Sequence, residues 1–242
     1  MTALPVKAPQ VKALVFDVFG TVVDWRTSVA REVAAAARAI GVETDGYALA
    51  DAWRGEYVPA MQRVARGELP WTVIDDLHRG ALDALLPRFA LAGLDEAARD
   101  HLNRAWHRLD PWPDSVAGLA RLKRRFIIGT LSNGNVALLV NMAKHAGLPW
   151  DVVFSAETFR AYKPDPRTYD GAAALLRLAP HEVMLVAAHN NDLAAAQARG
   201  LATAFVVRPA EYGPAQAKDL HAEGDWDVVA PDFGRLADAL GA

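Results

Sequence analysis

Val11-Lys12-Ala13-Leu14-Val15-Phe16-Asp17-Val18-Phe19-Gly20-Thr21 is an apolar run that ends on a carboxylate and then meets a glycine. Leu14 to Phe16 read as a strand buried on both faces, the pattern of a parallel sheet. Gly20 permits a sharp turn after it. A carboxylate at such a junction sits at the carboxyl end of a strand, where open α/β sheets place their ligands. Asp17 is therefore a candidate nucleophile. The plain alternative is an aspartate that caps a following helix, and this segment alone leaves both readings open. Two places on stands Phe19, which has no proton to give and so limits which leaving groups the site can handle.

Working outward, short apolar runs recur at Phe126–Leu131, Val152–Phe154, Val183–Val186, Thr203–Val207 and Asp227–Val229. Helical stretches such as Val136–Ala146, Tyr169–Leu178 and Leu193–Arg199 separate them. This alternation predicts an α/β fold, a Rossmann-like parallel sheet with helices on both faces. Residues 25–110 break the pattern. Ser28–Ile40, Tyr47–Ala65, Val73–Leu86 and Asp95–Leu109 all read as helices, with Gly41, Gly67, Pro70 and Gly93 between them. The expected organisation is a core made of 1–24 and 111–242, with a helical cap, 25–110, inserted over the carboxyl edge of the sheet. Pro111-Trp112-Pro113-Asp114 marks the return to the core.

Composition narrows the function classes. The chain has 242 residues, enough for a sizeable core plus an insertion. A formal net charge of −3, with no basic stripe, argues against nucleic-acid or membrane-surface binding. There is no cysteine, which excludes disulfides, thiolate metal sites and a cysteine nucleophile. No apolar run approaches the roughly 20 residues that span a bilayer. The first nine residues lack the apolar stretch of a signal peptide, so a cytoplasmic location is the expectation.

Four polar clusters follow apolar runs: Asp17; Ser132-Asn133-Gly134-Asn135; Tyr162-Lys163-Pro164-Asp165; and His189-Asn190-Asn191-Asp192. Each has a bland reading as a turn, a cap or a solvated charge. In a parallel sheet, however, the carboxyl ends share one edge, so the clusters can converge.

These motifs, in this order, resemble the haloacid dehalogenase superfamily over nearly the whole chain. Asp-x-Phe-Gly-Thr at 17–21, Leu131-Ser132-Asn133-Gly134, and Lys163-Pro164-Asp165-Pro166 with Tyr169 carry the likeness. Within the superfamily the chain most resembles the L-2-haloacid dehalogenases. Metal-dependent phosphatases of the superfamily carry a second acid where Phe19 stands. They also carry an acid pair where Ala187-Ala188-His189 stands. Magnesium prefers near-octahedral oxygen ligands, so the resemblance implies an enzyme with no metal and no cofactor. Halide is a weak base and leaves without a proton.

The resemblance also implies roles. Asp17 would displace halide from a small 2-haloacid and form an ester, which water then hydrolyses to a 2-hydroxy acid. Burial alone would protonate Asp17. An ammonium about 4 Å away offers about 4 kcal/mol at an effective dielectric of 20, roughly three pKa units. Lys163 is the candidate for it, with Asp192 as the base for water. Arg54, in Trp53-Arg54-Gly55-Glu56, would pull on the halide; a lone arginine on a helix is otherwise a solvated charge. Ser132 and the backbone N–H groups of Val18 and Phe19 would hold the substrate carboxylate. Asn133 would line the halide side, with His189 or Asn191 beside it. Thr21 and Tyr169 would orient Asp17 and Lys163. Trp71 and Trp112 are candidates for the apolar wall. The likeness and the helical cap imply a homodimer.

Two competing readings stand beside this one. A phosphatase or phosphonatase of the same superfamily conflicts with Phe19, and a phosphonatase needs a cap lysine where residues 25–110 have none. A non-catalytic binding protein on this fold conflicts with the joint presence of Asp17, Ser132, Lys163 and Asp192.

Overall fold

The computed structural model describes residues 10–242. Residues 1–9, on which the expectation of no leader rests, lie outside the described residues. The strands are β1 (Ala13–Phe16), β2 (Val23–Asp24), β3 (Asp110–Pro111), β4 (Ile127–Ser132), β5 (Val152–Ser155), β6 (Val183–Ala187), β7 (Ala202–Val206) and β8 (Val228–Ala230). Six of them form one parallel sheet in the order β5-β4-β1-β6-β7-β8. The Rossmann-like α/β expectation therefore holds. From β1 the order steps outward through β4 to β5, then returns to β6 on the other side. Asp17 thus leaves the sheet between two strands that diverge in connectivity, where such folds open a crevice.

Strand alternation divides the core between the two faces. Leu14, Phe16, Ile128, Met184 and Val186 bury one face, together with Leu119, Leu138, Leu139 and Phe233. These last come from α5 (Ser115–Leu122), α6 (Val136–Ala146) and α10 (Phe233–Leu240). Val15, Leu131, Leu185 and Phe205 bury the other face against Tyr169, Ala172 and Leu193. Those belong to α8 (Pro166–Leu176) and α9 (Asn190–Gln197); the short α7 (Ala156–Phe159) precedes them.

Between β2 and β3 lie α1 (Trp25–Ala39), α2 (Gly46–Ala65), α3 (Ile74–Leu85) and α4 (Glu96–Asn103). Capping explains three of their starts: Asp24, Asp45 and Asp95 each accept a backbone N–H from the first turn. Phe19, Trp53, Tyr57, His78 and Trp106 pack edge to face or stacked where this block meets the end of β1.

Two details depart from the sequence reading. β2 and β3 form a two-stranded antiparallel ribbon, too short to leave a period-2 signal. And α8 begins at Pro166, a turn ahead of Tyr169, because the Asp165 side chain accepts from Arg167 N–H and Pro166 fits the first helical position. Among the described residues, no helix is long and apolar enough to cross a membrane.

Candidate active site

Asp17 is fixed from the backbone outward. Its N–H donates to Val186 O at 3.0 Å, which extends the β1–β6 pairing by one residue. The chain then turns at Gly20, where φ is +86° and the Gly20 N–H donates to Val23 O. A Cβ at Gly20 would lie 2.1 Å from Glu211 Oε1, so a side chain is excluded by both backbone and space. Beyond the turn, Thr21 Oγ1 donates to Asp17 Oδ2 at 2.8 Å and accepts the Ala188 N–H at 2.9 Å.

The other strand ends supply charge. Lys163 Nζ donates to Asp17 Oδ1 at 2.9 Å and also to Asp192 Oδ2. Its backbone N–H donates to Asn133 Oδ1 at 2.7 Å, so the loop after β4 positions the lysine. Tyr169 donates its hydroxyl to Asp192 Oδ1 at 2.6 Å. The expectation that Tyr169 orients Lys163 is thus met only through Asp192. The ammonium stands between the two carboxylates. Among the described residues no group of three or more acids or histidines is arranged to hold a metal ion.

Burial pushes the Asp17 carboxyl upward, but the Lys163 ammonium and His189 outweigh it and hold the group well below the usual carboxylate range. Burial pulls Lys163 down, and Asp17 and Asp192 outweigh that in turn and raise it. The Asp17 carboxylate and the Lys163 ammonium thus favour each other's charged form in a buried setting.

His189 Nδ1 lies 3.0 Å from Asp17 Oδ2, and its Nε2 lies 2.9 and 3.1 Å from the two oxygens of Glu211. Trp25 Nε1 donates to Glu211 Oε1 at 3.1 Å. Arg54, on α2, stacks 4.2 Å from the Tyr57 ring centroid and 5.5 Å from that of Trp25. Its Nη1 is buried without a hydrogen-bond partner. A cleft of about 1110 Å³ connects these groups, with Asp17, Arg54, Lys163, His189 and Asp192 on its wall.

A haloacid dehalogenase-like hydrolase family model matches residues 11–200. The chain belongs to that family. This hydrolase is 32% identical over 211 residues to (S)-2-haloacid dehalogenase 1 of Pseudomonas sp. (strain CBS-3), with 84% of this chain and 88% of that protein covered. It is similar to the crystal structure of the L-2-haloacid dehalogenase PA0810, at 52% identity and a TM-score of 0.92, covering 96% of this chain and 99% of the other. It is also similar to the crystal structure of the defluorinating L-2-haloacid dehalogenase Rha0230, at 49% identity and a TM-score of 0.94, covering 99% of this chain and all of the other.

Asp17, Thr21, Lys163, Tyr169, His189 and Asp192 come together in the hydrolase as one hydrogen-bonded network. Asn133 and Phe19 also line the cleft. Ser132 is buried and accepts the Gly134 N–H at 3.2 Å, set back from the cleft. Val18 is fully buried, backbone included, and is not part of the cleft wall. Asn191 is exposed at the start of α9 and reaches the outer wall. Trp71 lines the cleft beside Tyr162. Trp112 instead donates to Gly20 O at 2.8 Å and props the turn from the side. Glu211 is the residue that sequence reasoning missed. It lies in Arg208-Pro209-Ala210-Glu211, past the end of β7, where only its place after a strand hinted at the site.

Proposed function

We propose that this hydrolase cleaves the carbon–halogen bond of small 2-haloacids, haloacetates and L-2-haloalkanoates, through an aspartyl ester. Asp17 carries the reading: it is an ionised, buried carboxylate whose loop neighbour Phe19 offers no proton, beneath an arginine with an unpartnered buried nitrogen. Lys163 keeps Asp17 charged with little water around it, which favours attack on carbon. Lys163 bonds to Oδ1 alone, whereas Oδ2 takes both Thr21 and His189. Oδ1 is the freer oxygen and makes the new bond as the carbon–halogen bond breaks. Arg54 Nη1 supplies the charge-assisted donor that the departing halide needs.

The helices at 25–110 serve as the cap that brings Arg54 over the core. The backbone N–H of Phe19 holds the substrate carboxylate and Asn133 lines the halide side, with Ser132 bracing the loop that carries Asn133. With Arg54 and Asn133 as the polar groups on the halide side, fluoroacetate belongs among the substrates. The similarity to a defluorinating relative supports that choice. The protein works in the cytoplasm, as a homodimer, without metal or cofactor.

Halide release from chloroacetate, fluoroacetate and L-2-chloropropionate, measured with and without EDTA, tests the reading. Release is expected on all three, unchanged by EDTA. Loss in EDTA with recovery on adding magnesium would assign the site to the metal-dependent branch of the superfamily. Phosphate release from phosphoesters with no halide release would favour the phosphatase reading that Phe19 opposes.

A further inference from the structure

His189 is a histidine between two carboxylates, and each ring nitrogen faces one of them. A ring nitrogen bonds to a carboxylate only if it carries a proton, so this placement calls for the doubly protonated imidazolium. With both nitrogens engaged, His189 has none left to offer a halide.

We infer that Glu211 holds His189 as an imidazolium whose Nδ1–H, with the Thr21 hydroxyl, forms the oxyanion hole for hydrolysis of the Asp17 ester. The inference rests on the haloacid reading above. Once Oδ1 has joined the substrate carbon, Oδ2 is the ester carbonyl oxygen, and it already faces Thr21 at 2.8 Å and His189 at 3.0 Å. Water attacks the Asp17 carbonyl carbon and gives one proton to Asp192. The carbonyl electron pair moves onto Oδ2, where the two donors meet the new charge. When the carbonyl re-forms, the bond from Asp17 Cγ to Oδ1 breaks. Oδ1 leaves as the hydroxyl oxygen of the product and takes the proton from Asp192. The second proton of the water passes to solvent as Asp17 regains its carboxylate.

The surroundings of His189 support this. Asp17 faces it from the end of β1 and Glu211 from the loop after β7. Lys163 and Asp192 lie beyond Asp17, and Arg54 and Tyr212 border the cleft on the Glu211 side. Burial works against the imidazolium, but Glu211 and Asp17 outweigh it and raise the group to about 10. Glu211 is itself held by Trp25 and has the room that Gly20 leaves for it. Glu211 touches no reacting atom, so it is a positioning residue; His189 touches the nucleophile.

Three measurements test the inference. In His189→Ala, quenched-flow mass spectrometry should show the Asp17 adduct forming and then decaying about 100-fold more slowly than in the parent. Chloroacetate and fluoroacetate pass through the same glycolyl ester, so decay should slow equally for both. In Glu211→Gln, which keeps the side-chain shape, ester decay should fall tenfold per pH unit as pH rises through a lowered His189 pKa, while the parent stays flat across that range. Imidazole nitrogen NMR should find His189 doubly protonated at pH 8 in the parent and neutral in Glu211→Gln. A neutral His189 in the parent, a uniform loss at every pH in Glu211→Gln, or a selective loss on fluoroacetate without adduct would overturn the inference and leave the haloacid reading intact. No halide release by the parent would remove both.

Discussion

Lys163 grips Asp17 by one oxygen only, Oδ1 at 2.9 Å, and leaves Oδ2 to donors on the opposite side. The two oxygens of Asp17 are therefore chemically unequal before any substrate arrives. In the proposed mechanism the one with the fewer donors attacks, and the other becomes the carbonyl oxygen of the ester.

Asp17→Asn is expected to abolish turnover, since the amide cannot form the ester and gains no charge from Lys163. In the parent, a single turnover in heavy-oxygen water should place the label in Asp17 and leave the hydroxy acid unlabelled. Label found in the hydroxy acid instead would mean that water attacks the substrate carbon directly.

Asp192→Asn separates the two half-reactions. It keeps the acceptor for Tyr169 and loses the base for water. The ester should form and persist, with steady-state turnover reduced about 100-fold or more. Intact-protein mass spectrometry reads the adduct, and normal turnover without one would take Asp192 out of the water step.

Arg54 offers a test in which stability and activity part company. Its buried Nη1 has no hydrogen-bond partner, and a buried donor left unsatisfied is costly. Arg54→Met fills similar volume against Tyr57, Trp25 and Phe19 without that donor. The melting temperature should hold or rise while kcat/KM for haloacetates falls by roughly 100-fold or more. Parallel losses in both would make Arg54 a structural residue.

The strand-end residues were legible because their logic is topological. Asp17, Asn133, Lys163 and Asp192 each follow an apolar run, and parallel strands carry such residues to one edge whatever their distance in sequence. Roles that depend on which way a side chain turns were not legible. Asn191 and Asp192 are adjacent in sequence, yet α9 rotates them about 100° apart, leaving one exposed and the other buried. The resemblance places His189 beside the halide, whereas the structure turns its two nitrogens to Asp17 and Glu211. Glu211 lies beyond β7 in a segment with no periodicity, and its place depends on the missing side chain of Gly20 and on the Trp25 indole, neither of which a sequence pattern records.

Protonation of His189 also predicts how stability changes with pH. Its pKa is raised from 6.5 to about 10 in the folded protein, so between those values the folded state binds the extra proton. The stabilisation is complete below pH 6.5 and is lost as pH rises toward 10. Chemical denaturation of the parent across that window should show stability falling with pH, and His189→Gln should show a shallower slope. Equal slopes would mean that the folded-state proton is not on His189.

Asp24 and Asp110 are register partners in the β2–β3 ribbon, so the chain departs toward the helical block and comes back at neighbouring points. The block that carries Arg54 thus hangs from a doorway one residue pair wide, while Asp17, Lys163 and Asp192 all belong to the sheet side. In evolutionary terms, the proposed mechanism would have the two ends of the scissile bond served by parts of the chain that can vary separately. Selection would then recast the end that receives the departing atom, and so the range of compounds cleaved, without disturbing the carboxylate that attacks.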